Sequence, residues 1–297
     1  MNAYSRVCHI DLRSRWFEVA KRIGALSNIG NLETKTLNGK IPFQVIFNKF
    51  RKTKPNQVLA EGIAKTSLIS PEEQKKKCNL CKEIKRFEEY GDNMLTDKYS
   101  PYLICPNLYP IELGHTVIIR KDHGDPNKLE KDDLEIALQI VKETDYRLWH
   151  NMVEAALSQL HPHFQGVFHF YPIEYAKKKP LSRCDDIYEL EGYPAAHIVF
   201  GGENAPEMAS MFVRKLKRYT VAITKEGIHI FPIKVPQFSG GIGGFESSGV
   251  FVLNSKAEYD SITADMIEKR IAGAMYSKEE MDMLKIWVEA SSLAQTY

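Results

Sequence analysis

The sequence predicts an α+β fold in which amphipathic helices cross antiparallel strands. The first observation is an order of strand, long amphipathic helix and strand between residues 114 and 170. The second is a similar order of helix and strands in residues 205–254, where Lys225-Glu226-Gly227 separates two apolar strands as in a β-hairpin. A strand, a helix and a strand of this length form one module. The repetition therefore predicts two related halves.

Composition restricts the chain to the globular class. Its 297 residues are 43% hydrophobic and 26% charged, which excludes disordered, collagen-like and coiled-coil chains. The formal net charge of +2 gives no reason to expect a nucleic acid or an acidic membrane as partner. No stretch approaches the 18 apolar residues of a membrane span, and the first twenty residues lack the apolar run of a secretory leader. We therefore expect a cytoplasmic protein that does not enter the membrane.

The N-terminal segments predict a helix, a loop and a strand. Apolar side chains recur at helical spacing within residues 1–27, at Leu12, Trp16, Val19, Ala20 and Ile23. Residues 27–40 are rich in Asn, Gly and Thr, which favours a loop. Residues 41–52 begin with alternating apolar side chains, which favours a strand that ends near Asn48 and Arg51. We assign residues 1–40 to an N-terminal helix and loop.

The two predicted halves follow. In the first half, residues 41–176, we expect a strand at 114–120, a helix at 129–149 and a strand at 158–170. In the second half, residues 177–297, we expect a helix at 205–219, a hairpin at 219–234, a glycine-rich loop at 237–249, a strand at 249–254 and helix from 261 to 296.

The densest polar cluster is His161-Pro162-His163-Phe164-Gln165. Pro162 disfavours a helical conformation for His161, so the segment is extended and successive side chains alternate between faces. The two histidines and the glutamine then share one face. Two imidazoles and an amide on a buried strand are costly to desolvate unless they bind a ligand. The alternative is a polar strand whose groups satisfy one another by hydrogen bonds.

Cys78 and Cys81 have the two-residue spacing of a zinc knuckle. A redox pair shares this spacing but follows a strand at a helix N-terminus, whereas lysines flank this pair. Four-coordinate zinc needs two more ligands, and His123 and His161 stand at turn or strand ends of the same module. The alternative is a pair of reduced surface thiols.

These motifs resemble the histidine-triad superfamily, in the branch of galactose-1-phosphate uridylyltransferase and diadenosine tetraphosphate phosphorylase. CNLC (78–81) and GHTVIIRKDH (114–123) are similar to segments that carry the family's first three zinc ligands. HPHFQ (161–165) resembles the transferases' His-Pro-His-x-Gln, and ALSQ (156–159) the phosphorylases' approach to the same site. YTVAITKEGIHIFPIK (219–234) resembles the C-terminal part of the dinucleotide phosphorylases. FQVIFNKFR with CNLC also resembles a bacterial group of uncharacterised members of the superfamily.

The resemblance implies a histidine-triad-like fold and a covalent mechanism. It implies a structural zinc ion with four protein ligands: Cys78, Cys81, His123 and His161. His163 would be the nucleophile that forms a nucleotidyl-histidine, with its other ring nitrogen donating to a backbone carbonyl. Gln165 stands where hydrolytic members carry a third histidine. Since an amide cannot transfer a proton at neutral pH, Gln165 would hold the phosphate by hydrogen bonds and favour transfer over hydrolysis.

Four further residues are candidates for substrate binding: Asn48, Arg51, Asn151 and Ser158. Asn151 is near the spacing of the transferases' phosphate-binding asparagine, although asparagine also commonly ends a helix. Ser158 could donate to the α-phosphate or be an ordinary strand hydroxyl. Asn48 and Arg51 could hold ribose or phosphate, because arginine suits bidentate contacts to oxyanions. We interpret His115 and His229 as structural, and the glycine-rich residues 240–249 as a mobile loop without a dinucleotide fingerprint.

The sequence predicts a nucleotidyltransferase or phosphorylase. We expect a sugar nucleotide or a dinucleoside polyphosphate as substrate, and phosphate or a sugar phosphate as acceptor. The alternatives are a nucleotide hydrolase of the histidine-triad type and a non-catalytic, zinc-stabilised nucleotide-binding protein. Since edge strands of such modules commonly pair between subunits, a homodimer is also expected.

Overall fold

The computed structural model of the chain describes residues 11–51, 70–90, 94–152, 155–156, 160–181, 184–237, 241–282 and 285. The strands are β1 Glu33–Asn38, β2 Pro42–Phe47, β3 Tyr102–Pro106, β4 Thr116–Arg120, β5 Arg147–Asn151, β6 His163–Val167, β7 Lys178–Leu181, β8 Cys184–Leu190, β9 Ile198–Phe200, β10 Tyr219–Thr224, β11 Gly227–Pro232 and β12 Val250–Leu253. The α-helices are α1 Leu12–Arg22, α2 Pro71–Lys77, α3 Asn79–Tyr90, α4 Lys131–Glu143, α5 Ala205–Val213, α6 Gly244–Ser247, α7 Lys256–Ser261 and α8 Ala264–Ala274. Short 3₁₀ turns lie at Ala25–Asn28, Pro172–Tyr175 and Glu279–Met281.

One antiparallel sheet contains β3 to β11 in the order β3-β4-β6-β5-β10-β11-β9-β8-β7. It contains two four-stranded units with the same topology, and β7 pairs with β8 at the outer edge of the second. The first unit, β3-β4-α4-β5-β6, gives the spatial order β3-β4-β6-β5, and the second, β8-β9-α5-β10-β11, gives β8-β9-β11-β10. Antiparallel pairing of β5 with β10 joins the units, with Trp149 opposite Ala222. The predicted α+β class with antiparallel sheets is confirmed, and the repeated order is that of two related halves.

A smaller sheet crosses the predicted division of the chain. β1 pairs antiparallel with β2, and β12 pairs parallel with β2 on its other side. Strands from residues 33–38, 42–47 and 250–253 therefore lie side by side. The boundaries at residues 40 and 176 remain a prediction.

The first helix forms where its apolar stripe predicts it. The Asp11 carboxylate accepts from the backbone N–H of Ser14 at 3.1 Å, which caps the N-terminus of α1. The apolar stripe of α1 is buried, and the Trp16 indole donates to the carbonyl of His115 at 3.0 Å. The predicted loop at 27–40 is wrong, since it contains β1. That strand is mostly exposed and polar, so backbone pairing with β2 defines it and no apolar alternation marks it.

The predicted helix at 129–149 is too long. α4 ends at Glu143, and Thr144 takes an extended conformation with φ −132° and ψ 179°. Residues 147–151 form β5 instead, and all five are buried. Leu148 lies seven residues after Val141, so it continues the helical spacing of α4 although it belongs to a strand. Asn151 therefore ends a central strand and not a helix.

Helices α4 and α5 pack on each other and against the long sheet, α4 on β5 and β10 and α5 on β9 and β11. The predicted loop at 237–249 contains the short helix α6. The predicted helix over 261–296 is divided between α7, α8 and a 3₁₀ turn, and most of its last residues lie outside the described part. Over the described residues, no helix is both long enough and apolar enough to cross a membrane.

Candidate metal centre and active site

Cys78 and Cys81 lie where helices α2 and α3 meet. The Ser70 hydroxyl caps α2 by accepting from the backbone N–H of Glu73 at 3.3 Å. Cys78 is extended, with ψ 122°, and this break turns the chain before α3 begins. The backbone N–H of Cys81 donates to the Cys78 Sγ at 3.4 Å. Both cysteines are buried, 9% and 7% exposed, so the interpretation as surface thiols is wrong.

The four predicted ligands meet at one point. The Cys78 Sγ lies 3.5 Å from the His161 Nδ1, and the Cys81 Sγ lies 3.3 Å from the His123 Nδ1 and 3.5 Å from the His161 Nδ1. The two Nδ1 atoms are 3.1 Å apart, and all four donor atoms lie within 4.8 Å of one another. Zinc bonds of about 2.3 Å to sulfur and 2.1 Å to nitrogen place tetrahedral donors roughly 3.3–3.8 Å apart. The cluster therefore has the donor types and spacing of a four-coordinate metal site.

The surroundings of the cluster also suit a metal. The His161 Nε2 lies 2.7 Å from the carbonyl oxygen of Arg120. Since a carbonyl only accepts, this nitrogen carries the proton and leaves Nδ1 as the ligand atom, the arrangement that orients metal-bound histidines. Burial and the adjacent Cys78 raise the pKa of the Cys81 thiol to about 12. A thiolate at this position therefore needs a nearby cation to form.

A cavity of about 330 Å³ opens beside the cluster. The first unit lines it with His115, Trp149, Asn151, His163 and Gln165. The glycine-rich segment before β12 lines it with Gly241, Phe245 and Glu246. The sequence interpretation of residues 240–249 as a mobile loop missed this role, since α6 packs against β10, β12 and β5. Residues more than 70 positions apart in the sequence thus share one cavity.

His163 lies at the start of β6, two residues after the ligand His161. Its Nδ1 lies 2.7 Å from the carbonyl oxygen of His161, the backbone hydrogen bond that the sequence predicts for this ring. Burial lowers the pKa of His163 to about 4, so the imidazole is neutral near pH 7. Because Nδ1 carries the only ring proton, Nε2 keeps a free lone pair. The chemistry available to this ring is nucleophilic attack.

Gln165 and His115 face the same cavity. The Gln165 Oε1 lies 3.0 Å from the His115 Nε2, and the His115 ring stacks on Trp149 with centroids 5.4 Å apart. The Trp149 ring in turn stacks on Phe245 at 4.8 Å. The sequence interpretation treated His115 as structural and did not single out Trp149 or Phe245. The Gly-His pair before β4 was the available signal for His115; the aromatic stack has none, since it depends on tertiary packing.

Asn151 connects the two units at the edge of the cavity. Its Oδ1 accepts from the Thr220 hydroxyl at 2.6 Å and from the backbone N–H of Gly244 at 2.7 Å. A side chain at Gly244 would place its Cβ 2.6 Å from the Cβ of Trp149 and 2.8 Å from the carbonyl oxygen of Val221. Only glycine allows this close approach, which brings α6 down onto β5 and β10.

The remaining predicted substrate-binding residues differ in position. Arg51 lines the cavity and donates to Glu246 Oε1 at 3.0 Å and to the carbonyl of Val252. Asn48 is fully buried, and its amide donates to the carbonyl of Ile111 at 3.0 Å, behind the cavity wall. The structure therefore brings Arg51 to the cavity and uses Asn48 to hold a loop.

Ser158 lies outside the described residues, so its predicted role is not tested. Ala156, two positions earlier, lines the cavity. Its φ of 67° is in the left-handed region that residues other than glycine seldom adopt. The backbone N–H of Ala156 donates to the carbonyl of Gln237 at 2.9 Å, which ties this turn to the segment before α6.

Comparisons with known proteins agree with this fold. The family model described as the GDPGP1-like N-terminal domain matches residues 9–167. GDP-L-galactose phosphorylase 2 of Arabidopsis thaliana is 31% identical over 114 residues, which make up 35% of this chain and 26% of that protein. The chain thus matches about a quarter of the length of this curated relative.

Two solved structures of the yeast Ap4A phosphorylase Apa2 resemble the whole described fold. The protein alone gives a TM-score of 0.62 at 14% identity, covering 90% of this chain and 98% of the other. Its complex with Ap4A gives 0.63 at 16% identity, with the same coverage. At these identities the likeness establishes the fold.

The fold is that of the yeast Ap4A phosphorylase, which confirms the predicted resemblance to the branch of the histidine-triad superfamily that contains such enzymes. The matched residues 9–167 are more than half of the chain and include all four cluster residues, His163 and Gln165. The chain belongs to the GDPGP1-like family.

Proposed function

We propose that the protein is a phosphorylase that transfers a nucleotidyl group from a nucleoside diphosphate sugar to inorganic phosphate. The observation that carries the proposal is the neutral His163 imidazole, whose Nδ1 is bound to the His161 carbonyl while the ring lines the cavity. Family membership and the matching region of a GDP-L-galactose phosphorylase support the sugar nucleotide as substrate. A dinucleoside polyphosphate is the second substrate class, supported by the fold of the yeast Ap4A phosphorylase.

The proposed reaction has two displacements at the α-phosphorus. The Nε2 of His163 attacks that phosphorus, a P–N bond forms, and the bond to the bridging oxygen breaks to release the sugar phosphate. An oxygen of inorganic phosphate then attacks the same phosphorus, the P–N bond breaks, and the nucleoside diphosphate leaves. The His161 carbonyl holds the Nδ1–H while the imidazole carries positive charge in the intermediate. Atoms and charge balance without a further reactant.

Gln165 supports transfer in preference to hydrolysis. Its amide lies in the same cavity as His163 and can donate to α-phosphate oxygens. An amide does not remove a proton from water, so the intermediate lacks a general base at this position. Arg51, Asn151 and Ser158 remain proposed contacts to the phosphates, while the buried Asn48 is proposed to act through the loop it holds.

We also propose that the metal is zinc and that its role is structural. Cys78, Cys81, His123 and His161 would fill all four positions of a tetrahedral ion, which would leave none for water or substrate. When bound, the ion would hold α3 and the turn before β6 together, so that His163 emerges at a fixed place. The reduced thiols of this ligand set support the predicted cytoplasmic location. A homodimer formed through an edge strand stays a prediction from sequence.

The test is the first half-reaction. The purified protein is mixed with a radiolabelled nucleoside diphosphate hexose or a dinucleoside tetraphosphate, and acid-labile label on the protein is measured together with the intact mass. We expect one nucleotidyl group per chain on the wild-type protein and none on His163→Ala. Added phosphate should discharge the label as nucleoside diphosphate.

Product analysis separates the two alternatives. A hydrolase would release nucleoside monophosphate at the same rate with and without phosphate. A binding protein would leave every nucleotide intact although its melting temperature rises. Either result, or full labelling of His163→Ala, would contradict the proposed phosphorylase.

A further inference from the structure

His115 occupies an unusual place for a buried histidine, because it lies between a loop and a side chain of the proposed active site. It immediately precedes β4 and is 2% exposed. One ring nitrogen faces the backbone of the loop at 107–114, and the other faces Gln165. Its ring plane is fixed by stacking on Trp149 at an interplanar angle of 21°. A buried ring fixed on three sides has one available orientation.

The loop determines which nitrogen of His115 carries the proton. The backbone N–H of Ile111 points at the His115 Nδ1 over 3.1 Å. Since a backbone N–H only donates, Nδ1 must be the acceptor. Burial lowers the pKa of His115 to about 4, so the neutral ring carries its single proton on Nε2.

That proton determines the orientation of the Gln165 amide. The His115 Nε2–H donates to the Gln165 Oε1 at 3.0 Å. The opposite amide orientation would place the NH₂ group against an N–H, with two donors facing each other. The amide oxygen is thus held by His115, and the NH₂ group remains for a ligand in the cavity.

A second amide lies near the same nitrogen without bonding to it. The Asn107 Nδ2 lies 3.5 Å from the His115 Nε2, at the outer limit of a hydrogen bond. Both atoms are donors in the assigned tautomer, so this contact is not a bond. The Asn107 Oδ1 instead accepts from the backbone N–H of Tyr109 at 2.9 Å, which fixes that amide within the loop.

Asn48 anchors the loop from behind. Its Nδ2 donates to the carbonyl oxygen of Ile111 at 3.0 Å, and its Oδ1 accepts from the backbone N–H of Phe50 at 2.9 Å. The same Nδ2 also donates to the carbonyl oxygen of Pro110 at 3.4 Å, and that carbonyl belongs to the peptide group whose N–H sets the tautomer of His115. The series of hydrogen bonds runs from Asn48 through the loop to His115 and then to Gln165.

We infer that His115 is a positioning residue that turns the NH₂ group of Gln165 toward the phosphate of the substrate. The inference rests on the proposed function for its consequence, since only a phosphate ligand makes the direction of the amide matter. A reversed amide would present its oxygen to an anionic phosphate, and repulsion would replace a hydrogen bond. His115 itself does not take part in bond making or breaking.

The tautomer can be measured without any activity. In the ¹⁵N-histidine-labelled protein at pH 7, two-bond correlations give the protonated nitrogen of each ring, and His115→Gln identifies the signal. We expect His115 to carry its proton on Nε2. A proton on Nδ1, or a doubly protonated ring, would overturn the inference whatever the catalytic result.

The catalytic consequence is tested by a double-mutant cycle with Gln165→Ala. His115→Phe keeps the ring against Trp149 and removes both hydrogen bonds, and we expect the rate of His163 labelling to fall about 10- to 100-fold with little change in KM. In the Gln165→Ala background the same substitution should have almost no further effect, because His115 acts through Gln165. His115→Gln, whose amide can still donate to Gln165, should recover part of the rate.

The two proposals fail in different ways. If wild-type protein forms no nucleotidyl-histidine but His115 has its proton on Nε2, the proposed function is wrong and the hydrogen-bond assignment holds. If wild type is labelled and the losses from His115→Phe and Gln165→Ala are additive, His115 has a merely structural effect and the inference is wrong. Equal melting temperatures of wild type and His115→Phe, measured in parallel, exclude unfolding as the cause of a lost rate.

Discussion

The two units of the long sheet share one topology and differ in chemistry. In the first unit the inner strand β6 begins with His163, and His161 of the candidate metal site lies two residues before it. In the second unit the corresponding inner strand is β11, where all six residues are buried. Its histidine, His229, is 1% exposed and lies 3.1 Å from the Thr224 hydroxyl. One topology thus carries the proposed nucleophile in one unit and a fully buried strand in the other.

The two units contribute different residues to the candidate site. The first unit supplies the candidate nucleophile, its neighbouring amide and the two histidines of the metal cluster, whose two cysteines precede β3. The second contributes Thr220, which donates to Asn151 where β10 pairs with β5 (the seam between the units). The segment that follows the second unit contributes Phe245 and Glu246 to the cavity wall. The proposed site is therefore built mainly from the first unit and is closed by residues that come later in the chain.

The largest expected effect compares the histidines of the two inner strands. We expect His163→Ala to lower nucleotidyl transfer by about 10⁴-fold or more, since the covalent route is lost. His229→Gln should leave the rate per folded molecule within about twofold, although the loss of a buried side chain lowers the melting temperature. Transfer rates and thermal melts of both variants decide this, and a large rate loss in His229→Gln would show that the second unit also reacts.

Removal of a proposed metal ligand tests whether the stability of the first unit depends on a bound ion. Cys78→Ser should lose one equivalent of zinc per chain and several kcal/mol of stability, because metal binding contributes to folding. Cys105→Ala is the matched control: this cysteine is buried in the same apolar cluster but does not belong to the ligand set. Metal analysis and calorimetry measure both. Full zinc content in Cys78→Ser would exclude the proposed site.

A substitution at the seam tests whether the cavity needs both units. Gly244→Ala places a Cβ 2.6 Å from Trp149 and 2.8 Å from the backbone oxygen of Val221, so α6 must shift. We expect a loss of about 1–3 kcal/mol in the free energy of unfolding. Transfer should fall as well, because the contact of Asn151 with this backbone is broken.

Gly273→Ala in α8 is the control for that substitution. No atom lies within 4 Å of the Cβ it would add, and alanine favours a helix by about 0.5–1 kcal/mol. Its melting temperature should therefore rise slightly, with unchanged transfer. Unchanged activity and stability in Gly244→Ala would mean that the seam does not shape the cavity.

The sequence predicted the candidate metal ligands and the proposed nucleophile better than the residues that line the rest of the cavity. Cys78, His123, His161 and His163 lie in short motifs whose spacing reflects local chemistry, and the structure brings them together. Phe245 and Glu246 could not be predicted, because their place depends on how α6 packs against a strand far away in the sequence.

The errors in the fold have similar causes. β1 is polar and exposed, so only its partner strand defines it. β5 is buried on both faces, and its Leu148 continues the apolar spacing of the preceding helix. The position of Asn48 behind the loop also depends on tertiary contacts that the sequence does not show, and its predicted part in substrate binding stays a prediction.

The last contrast concerns stability alone and compares two buried glutamates, one in each unit. Glu112 in the loop before β4 is 7% exposed, and burial raises its pKa to about 8. His169 faces it at 4.0 Å, but burial lowers the pKa of that imidazole to about 4, so it provides no positive charge near neutrality. In β8, burial also acts on Glu189, but Lys179 and Lys285, each at 3.1 Å, outweigh it and lower its pKa.

The two carboxyl groups therefore make stability depend on pH with opposite sign. Folded Glu112 keeps a proton that the unfolded chain releases near pH 4.5, so its contribution is lost as pH rises toward 8. Relative to wild type, Glu112→Gln should gain about 1–3 kcal/mol between pH 5 and 9. The contribution of Glu189 is present above pH 4.5 and is lost as pH falls below it, so Glu189→Gln should be destabilised throughout pH 5–9 without a trend. Urea unfolding across this range measures both, and parallel curves for the two variants would contradict the assigned environments.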